Sequence, residues 1–190
     1  MQIPSHPFNF EKNTNMKFLK FLTLIFLFFS VSCIAQNPNT TPPVGNVNFD
    51  KKISSLISFS VPVMGVDELK EMKEDVVLLD AREKKEFEVS HIEGAKCVGY
   101  KKFDESQLEG VDKDEHIVVY CSVGYRSEKI GEKLKKMGYK NVYNLYGSIF
   151  EWVNDGNEVV DKNNTPTKEV HTYNKKWSKW IEEGKVKKVW

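Results

Sequence analysis

The sequence predicts an α/β layer protein, a parallel sheet flanked by helices on both faces, and three observations predict it. Five short apolar runs, at residues 61–64, 76–79, 95–98, 117–120 and 142–145, are separated by charged stretches. Their residues are apolar consecutively and rich in valine, the pattern of strands covered on both sides. Between them lie segments of helical period: Val66, Leu69 and Met72 over 66–73, and Ile130, Leu134 and Met137 over 126–137, with Gly138 placed to end the second helix. Alternation of the two kinds of segment is the signature of a layered α/β core, here with five strands.

At 190 residues, with 40% hydrophobic and 29% charged residues, the chain has room for one ordinary core plus extensions. The first 35 residues hold three lysines and one glutamate. The remainder therefore carries 25 basic and 26 acidic residues. A net charge of −1 offers nothing to a nucleic-acid backbone, so no nucleic-acid partner is expected.

Residues 1–35 read as an N-terminal extension and signal peptide. After Met16 come Lys17 and Lys20, an apolar run over 21–29 and a small-residue stretch over 30–35, and the run is too short for a membrane span. Two exits stay open. Cleavage after Ala35 releases a soluble protein, whereas Cys33 is a candidate lipidation site that would make a lipoprotein. Either way the chain is expected to be exported, to the periplasm or cell envelope. Residues 36–48, with prolines and small polar side chains, read as a flexible linker, followed by a domain over 49–160. In the extension 161–190, Tyr173, Trp177, Trp180 and Ile181 recur at three or four residues among Lys175, Lys176 and Lys179. That spacing predicts an amphipathic helix, packed on the domain or laid on an anionic membrane or partner.

Cys121 ends the fourth apolar run, and a helix is expected to begin a few residues later, which is where open α/β sheets place their sites. The chain must turn sharply through Ser122, Val123, Gly124 and Tyr125 before Arg126 and Ser127, and Gly124 can take the positive φ this requires. Successive amides in such a loop, with the positive end of the helix dipole, favour an anion. A thiolate beside Arg126 fits that setting. Alone, a cysteine closing an apolar strand is a small buried hydrophobe; the loop changes the reading.

The segment Val-Tyr-Cys-Ser-Val-Gly-Tyr-Arg-Ser resembles the active-site loop of the rhodanese-like single-domain sulfurtransferases. The likeness extends upstream to Leu78-Leu79-Asp80-Ala81-Arg82, Glu86-Phe87 and His91-Ile92-Glu93-Gly94-Ala95, and downstream to Leu145-Tyr146-Gly147-Ser148 and the residues up to Trp152. The resemblance implies a rhodanese-like fold over about residues 58–160. It implies a thiosulfate sulfurtransferase-like enzyme in which Cys121 takes sulfur from a donor, thiosulfate or a persulfide, and passes it as a persulfide to cyanide or a thiol. Catalytic roles go to Cys121 and Arg126, substrate binding to Ser122, Val123, Gly124, Tyr125 and Ser127, and loop support to Asp80 and Arg82. No cofactor and no metal are called for. Arg126 is the loop's one cation, where relatives that favour thiosulfate carry a second, and Ser148 stands where many have a second glycine.

Two other functions compete: an exported module that binds anions or responds to redox state without turnover, and a phosphatase, whose loop in this fold is one residue longer. Blander roles suit the other polar residues. Arg82 and Glu86 are spaced for a helical ion pair, His91 and His116 are assigned to structure, and Cys97 reads as a packed free thiol rather than a disulfide partner of Cys121. In an oxidising compartment Cys121 would need an exported thiol reductase or a small thiol to keep it active. Membrane contact is expected only through a lipid on Cys33 or through the C-terminal tail.

Overall fold

In a computed structural model that describes residues 41–190, β1 (Val63–Met64), β2 (Val77–Asp80), β3 (Lys96–Cys97), β4 (His116–Tyr120) and β5 (Asn141–Leu145) form one sheet in the order β1-β5-β4-β2-β3. Every pairing in it is parallel. The five runs expected from the sequence are its strands, displaced by one or two residues. β1 starts late because Pro62 has no N–H for the ladder, although its carbonyl still accepts the Asn144 N–H at 2.8 Å.

The helices are α1 (Val47–Ser54), α2 (Val66–Met72), α3 (Lys84–Val89), α4 (Tyr125–Lys136) and α5 (Ser148–Asn154). Side chains of β4 alternate between two cores, as strand geometry demands. Val118 and Tyr120 join Phe49 and Ile53 of α1, Leu69 of α2 and Ile149 and Phe150 of α5. Ile117, Val119 and the following Cys121 join Ile130 and Leu134 of α4. Helices therefore cover both faces. Complete burial of such side chains, each worth about 1.5–3 kcal/mol, fixes the register that carries Cys121 to the sheet's C-terminal edge. From β2 the chain moves outward to β3, and from β4 it moves the other way to β5. The crevice between these diverging connections opens beside Cys121.

Both boundaries of the expected domain need correction. The linker expectation over 36–48 fails for its described part: Asn46 caps α1 by accepting the N–H groups of Asn48 and Phe49, and the Gly45 N–H reaches Glu151 Oε1 at 2.8 Å. Burial of Phe49 and Ile53 makes α1 part of the core. The C-terminal extension is not the expected helix. After β6 (Val159–Val160), at the end of the expected domain, it forms β7 (Pro166–Thr167), β8 (Glu169–His171), a 3₁₀ turn over Ser178–Trp180 and β9 (Lys187–Val189), with β6 paired to β7 and β8 to β9. A turn at Tyr173, whose φ is +66°, interrupts any helix there. The three-residue recurrence read as helical comes partly from the 3₁₀ turn, which has the same spacing. Its apolar residues do pack on the domain: Trp180 stacks on Phe49 at 5.5 Å, and Val170 and Ile181 are buried.

Among the described residues no helix is long and apolar enough to cross a membrane. The expected signal peptide, the lipid acceptor Cys33 and linker residues 36–40 lie outside the described residues.

Candidate active site

Between β4 and α4 the chain turns over residues 121–124, with Gly124 at φ +114°. This turn is held from outside. The α5 amides of Ile149 and Phe150 donate to the carbonyls of Cys121 and Ser122, each at 3.3 Å, and Asn144 Nδ2 donates to the Gly124 carbonyl at 3.0 Å. With those oxygens engaged outward, the Gly124 N–H is left to point at Cys121 Sγ, 3.2 Å away. Gly124 is also the N-cap of α4 and has no side chain to occupy the first-turn amides, so the positive end of that helix faces the same sulfur.

The Ser127 hydroxyl stands 3.5 Å from Sγ, 3.1 Å from the Gly124 carbonyl and 2.7 Å from Asn144 Oδ1, three acceptors for its single proton. Burial pushes the Cys121 thiol up, but the Arg126 charge and the donors on Ser127 and Gly124 outweigh it, leaving the thiol below its ordinary value. By contrast, burial and the neighbouring Asp80 charge push Cys97 up to about 11. It lies half-buried as a free thiol at the end of β3.

Arg126 does not reach into open space. Its guanidinium grips Glu86 with two bonds, 2.7 and 2.8 Å, and donates a third to Ser122 Oγ at 3.0 Å. The Tyr173 ring lies 5.4 Å from its centre. Glu86 is 1% exposed. Burial would raise its carboxyl, but hydrogen bonds and charge from Arg126 outweigh that and hold it below the usual range. This replaces the Arg82–Glu86 pair expected from helical spacing. Arg82 lies ahead of α3 and turns back to Asp80, with bonds of 2.7–3.0 Å, and to the Ser90 carbonyl at 2.6 Å. Asp80 and Arg82 are fully buried beneath the loop, tying the end of β2 to the end of α3.

The structure therefore brings Cys121, Ser122, Gly124, Arg126 and Ser127 together around one sulfur. Val123 turns into the core beside α1, and Tyr125, 44% exposed, forms part of the rim. Cys121 is itself only 1% exposed, yet it lines a cavity of about 580 Å³, so the burial is that of a floor beneath an opening.

Four contributors were not read from the sequence. Asn144, fully buried, braces the loop; a lone Asn inside an apolar strand run was the available signal, since a polar side chain there needs partners. Glu86 anchors Arg126 across 40 residues, with no local mark of it. Ser148, noted in the sequence only as standing where many relatives have a second glycine, accepts the Cys121 N–H at 3.1 Å while holding a φ of +55°. His171, from the C-terminal extension, lies 4.0 Å from Glu86 Oε1. His91 stacks on Phe87 and His116 lies against Tyr143, both away from the sulfur.

Comparison with known proteins identifies the family of the domain that carries this loop. Residues 65–155 match the model of the rhodanese-like domain. A thiosulfate sulfurtransferase GlpE of Coxiella burnetii is 34% identical over 80 residues, which are 42% of this chain and 74% of that protein. The tRNA uridine(34) hydroxylase of Yersinia pestis is 36% identical over 89 residues, 44% of this chain but only 25% of that longer protein. Among solved structures, a thiosulfate sulfurtransferase from Pseudomonas aeruginosa superposes with a TM-score of 0.51 at 20% identity, over 62% of this chain and 23% of the other. The chain belongs to the rhodanese-like sulfurtransferase family, and its five-stranded parallel sheet is the fold of that family.

Proposed function

We propose that this protein is a sulfurtransferase that moves a sulfane sulfur from a donor, thiosulfate or a persulfide, to a thiophilic acceptor through a persulfide on Cys121. The reading rests on one observation: the Cys121 sulfur sits at the floor of an open cavity with the Gly124 N–H aimed at it and, among the described residues, no basic side chain in hydrogen-bond reach. Donors placed this way stabilise a negative sulfur without needing a general base. The thiolate attacks the outer sulfur of the donor; a new S–S bond forms, the donor's S–S bond breaks, and the remainder leaves with the electron pair. An acceptor thiolate or cyanide then attacks the sulfur carried on Cys121 and restores the thiolate.

Purified protein given a donor and cyanide is expected to release thiocyanate, and Cys121→Ser to release none. Absence of turnover with every donor, together with donor-independent partner binding, would replace the enzyme by a binding module; aryl-phosphate hydrolysis above background would replace it by a phosphatase. An exported location is part of the proposal, supported by the lysines and apolar run ahead of Cys33, with a thiol reductase or small thiol as reductant. Mass spectrometry of the mature protein, reading its N-terminus and any acyl group on Cys33, tests this. A full-length, unprocessed chain in the cytoplasm would overturn it.

A further inference from the structure

The family match ends at residue 155, yet part of the lining of the Cys121 cavity comes from later in the chain: Tyr173, Asn174 and Trp177 line it together with Tyr100 and Tyr125. This lining is built onto the domain. Trp180 O accepts from Asn154 Nδ2 and Glu182 N–H donates to Asn154 Oδ1, both at 3.0 Å, while Ile181 and Val170 are buried. Within this anchored segment Tyr173 is anomalous. It is a non-glycine residue with φ +66° and a side chain 55% exposed, so neither backbone comfort nor core burial explains it. What the turn achieves is placement: the Tyr173 N–H is fixed on His171 Nδ1 at 3.0 Å and the ring over Arg126.

Two further features limit what the cavity suits. At about 580 Å³ it falls within the range of roughly 300–1,000 Å³ typical of sites for organic ligands, far more than a small sulfur anion fills. Arg126, the loop's cation, is occupied on its edges by Glu86 and Ser122 and on one face by Tyr173, which leaves little of it for a dianion. Lys85 and Lys101 line the cavity beside Glu83, whose carboxylate accepts the Lys101 backbone N–H at 3.2 Å. Both lysines are exposed and make no ion pair among the described residues.

Resting on the sulfurtransferase reading, we propose that the turn carrying Tyr173, Asn174 and Trp177 is a specificity wall, and that the cavity takes an organic persulfide bearing a carboxylate. The donor's carbon chain lies along the aromatic faces, and its carboxylate reaches Lys85 and Lys101. In the step this implies, the Cys121 thiolate attacks the outer sulfur of R–S–SH; a new S–S bond to Cys121 forms, the donor's own S–S bond breaks, and R–S⁻ departs with the electron pair while the proton stays on the transferred sulfur. No oxidant or reductant is consumed.

The test compares kcat/KM for three donors: thiosulfate, the persulfide of a small peptide thiol with free carboxylates, and an uncharged alkyl persulfide of similar length. The carboxylated persulfide is expected to be the best of the three. Lys85→Met with Lys101→Met should lower its advantage over the uncharged persulfide about fivefold, the scale of two exposed ion pairs. Tyr173→Ala should narrow its advantage over thiosulfate at least fivefold, and Tyr173→Phe, which keeps the ring, should retain it. Tyr173 is exposed, so the variants are expected to fold; thermal melts check this. Equal donor ratios in wild type and variants would overturn the wall while leaving sulfur transfer intact, whereas no transfer from any donor would overturn both.

Discussion

Replacing Arg126 by Gln separates two tasks that the guanidinium performs at once. Its side chain is 12% exposed and that of its partner Glu86 is 1% exposed, so the substitution leaves a carboxylate in the interior without its hydrogen-bonded counter-charge. Breaking a buried pair costs about 3–5 kcal/mol, and the partial exposure of Arg126 places this case near the lower figure. For a folded unit of this size each kcal/mol corresponds to about 2–4 °C, which makes the expected fall in melting temperature roughly 6–12 °C. Because the Glu86 carboxyl is held below its ordinary value in the native protein, its contribution is complete above the unfolded value of about 4.3 and is lost as pH falls through the folded value. The gap in stability between wild type and Arg126→Gln should therefore be full near neutrality and close on acidification. In the same variant burial, which raises the Cys121 thiol, loses its strongest opponent. Iodoacetamide alkylation followed against pH should show a wild-type midpoint below the ordinary thiol value of about 8.5 and a variant midpoint higher than the wild type's, with the neutral-pH rate falling about tenfold per unit of displacement. Arg126→Lys, which keeps the charge but not the fork, should retain most of the acidity and lose part of the stability. Coincident midpoints in wild type and Arg126→Gln would refute the electrostatic account of the thiolate.

Gly124→Ala meets no contact closer than 3.6 Å, so its cost comes from φ +114°: about 1–2 kcal/mol of stability, seen by denaturant titration, and a displaced Gly124 N–H that should lower sulfur transfer by an order of magnitude or more. Ser148→Ala and Ser148→Gly both orphan the Cys121 N–H, but only glycine relieves the positive φ; the Gly variant should be the more stable by about 1 kcal/mol, and the reverse order would mean that Ser148 is not strained. With its thiol pushed up to about 11, Cys97 should resist labelling at neutral pH, and peptide mapping after brief alkylation should find the label on Cys121.

Much of this protein could be read locally. Strands buried on both faces need consecutive apolar residues, and a sharp strand-to-helix turn needs a residue free at positive φ, so the α/β class, the five strands and the loop from Cys121 to Arg126 show in the order of residue types. Identification of the flanking segments was weaker because their patterns have two solutions. Residues 41–48 are polar and proline-containing like a linker, but the cap at Asn46 and the burial of Phe49 pull them into the fold. Aromatic residues three and four apart in the extension suit a helix and a 3₁₀ turn alike, and the pairing of β8 with β9 decided between them.

Which partner each charged side chain takes was settled only in three dimensions. Arg82 and Glu86 stand four residues apart, yet each finds a better counter-charge elsewhere: Arg82 in Asp80, to which the end of β2 delivers it, and Glu86 in Arg126, forty positions away. Likewise the wall over Cys121 comes from a segment that begins beyond the family domain. A sequence lists the groups able to form a thiolate cup, because backbone geometry responds to neighbours along the chain. Closing the cup with Asn144, Ser148 and Tyr173 depends on contacts that only packing of the sheet and its helices creates.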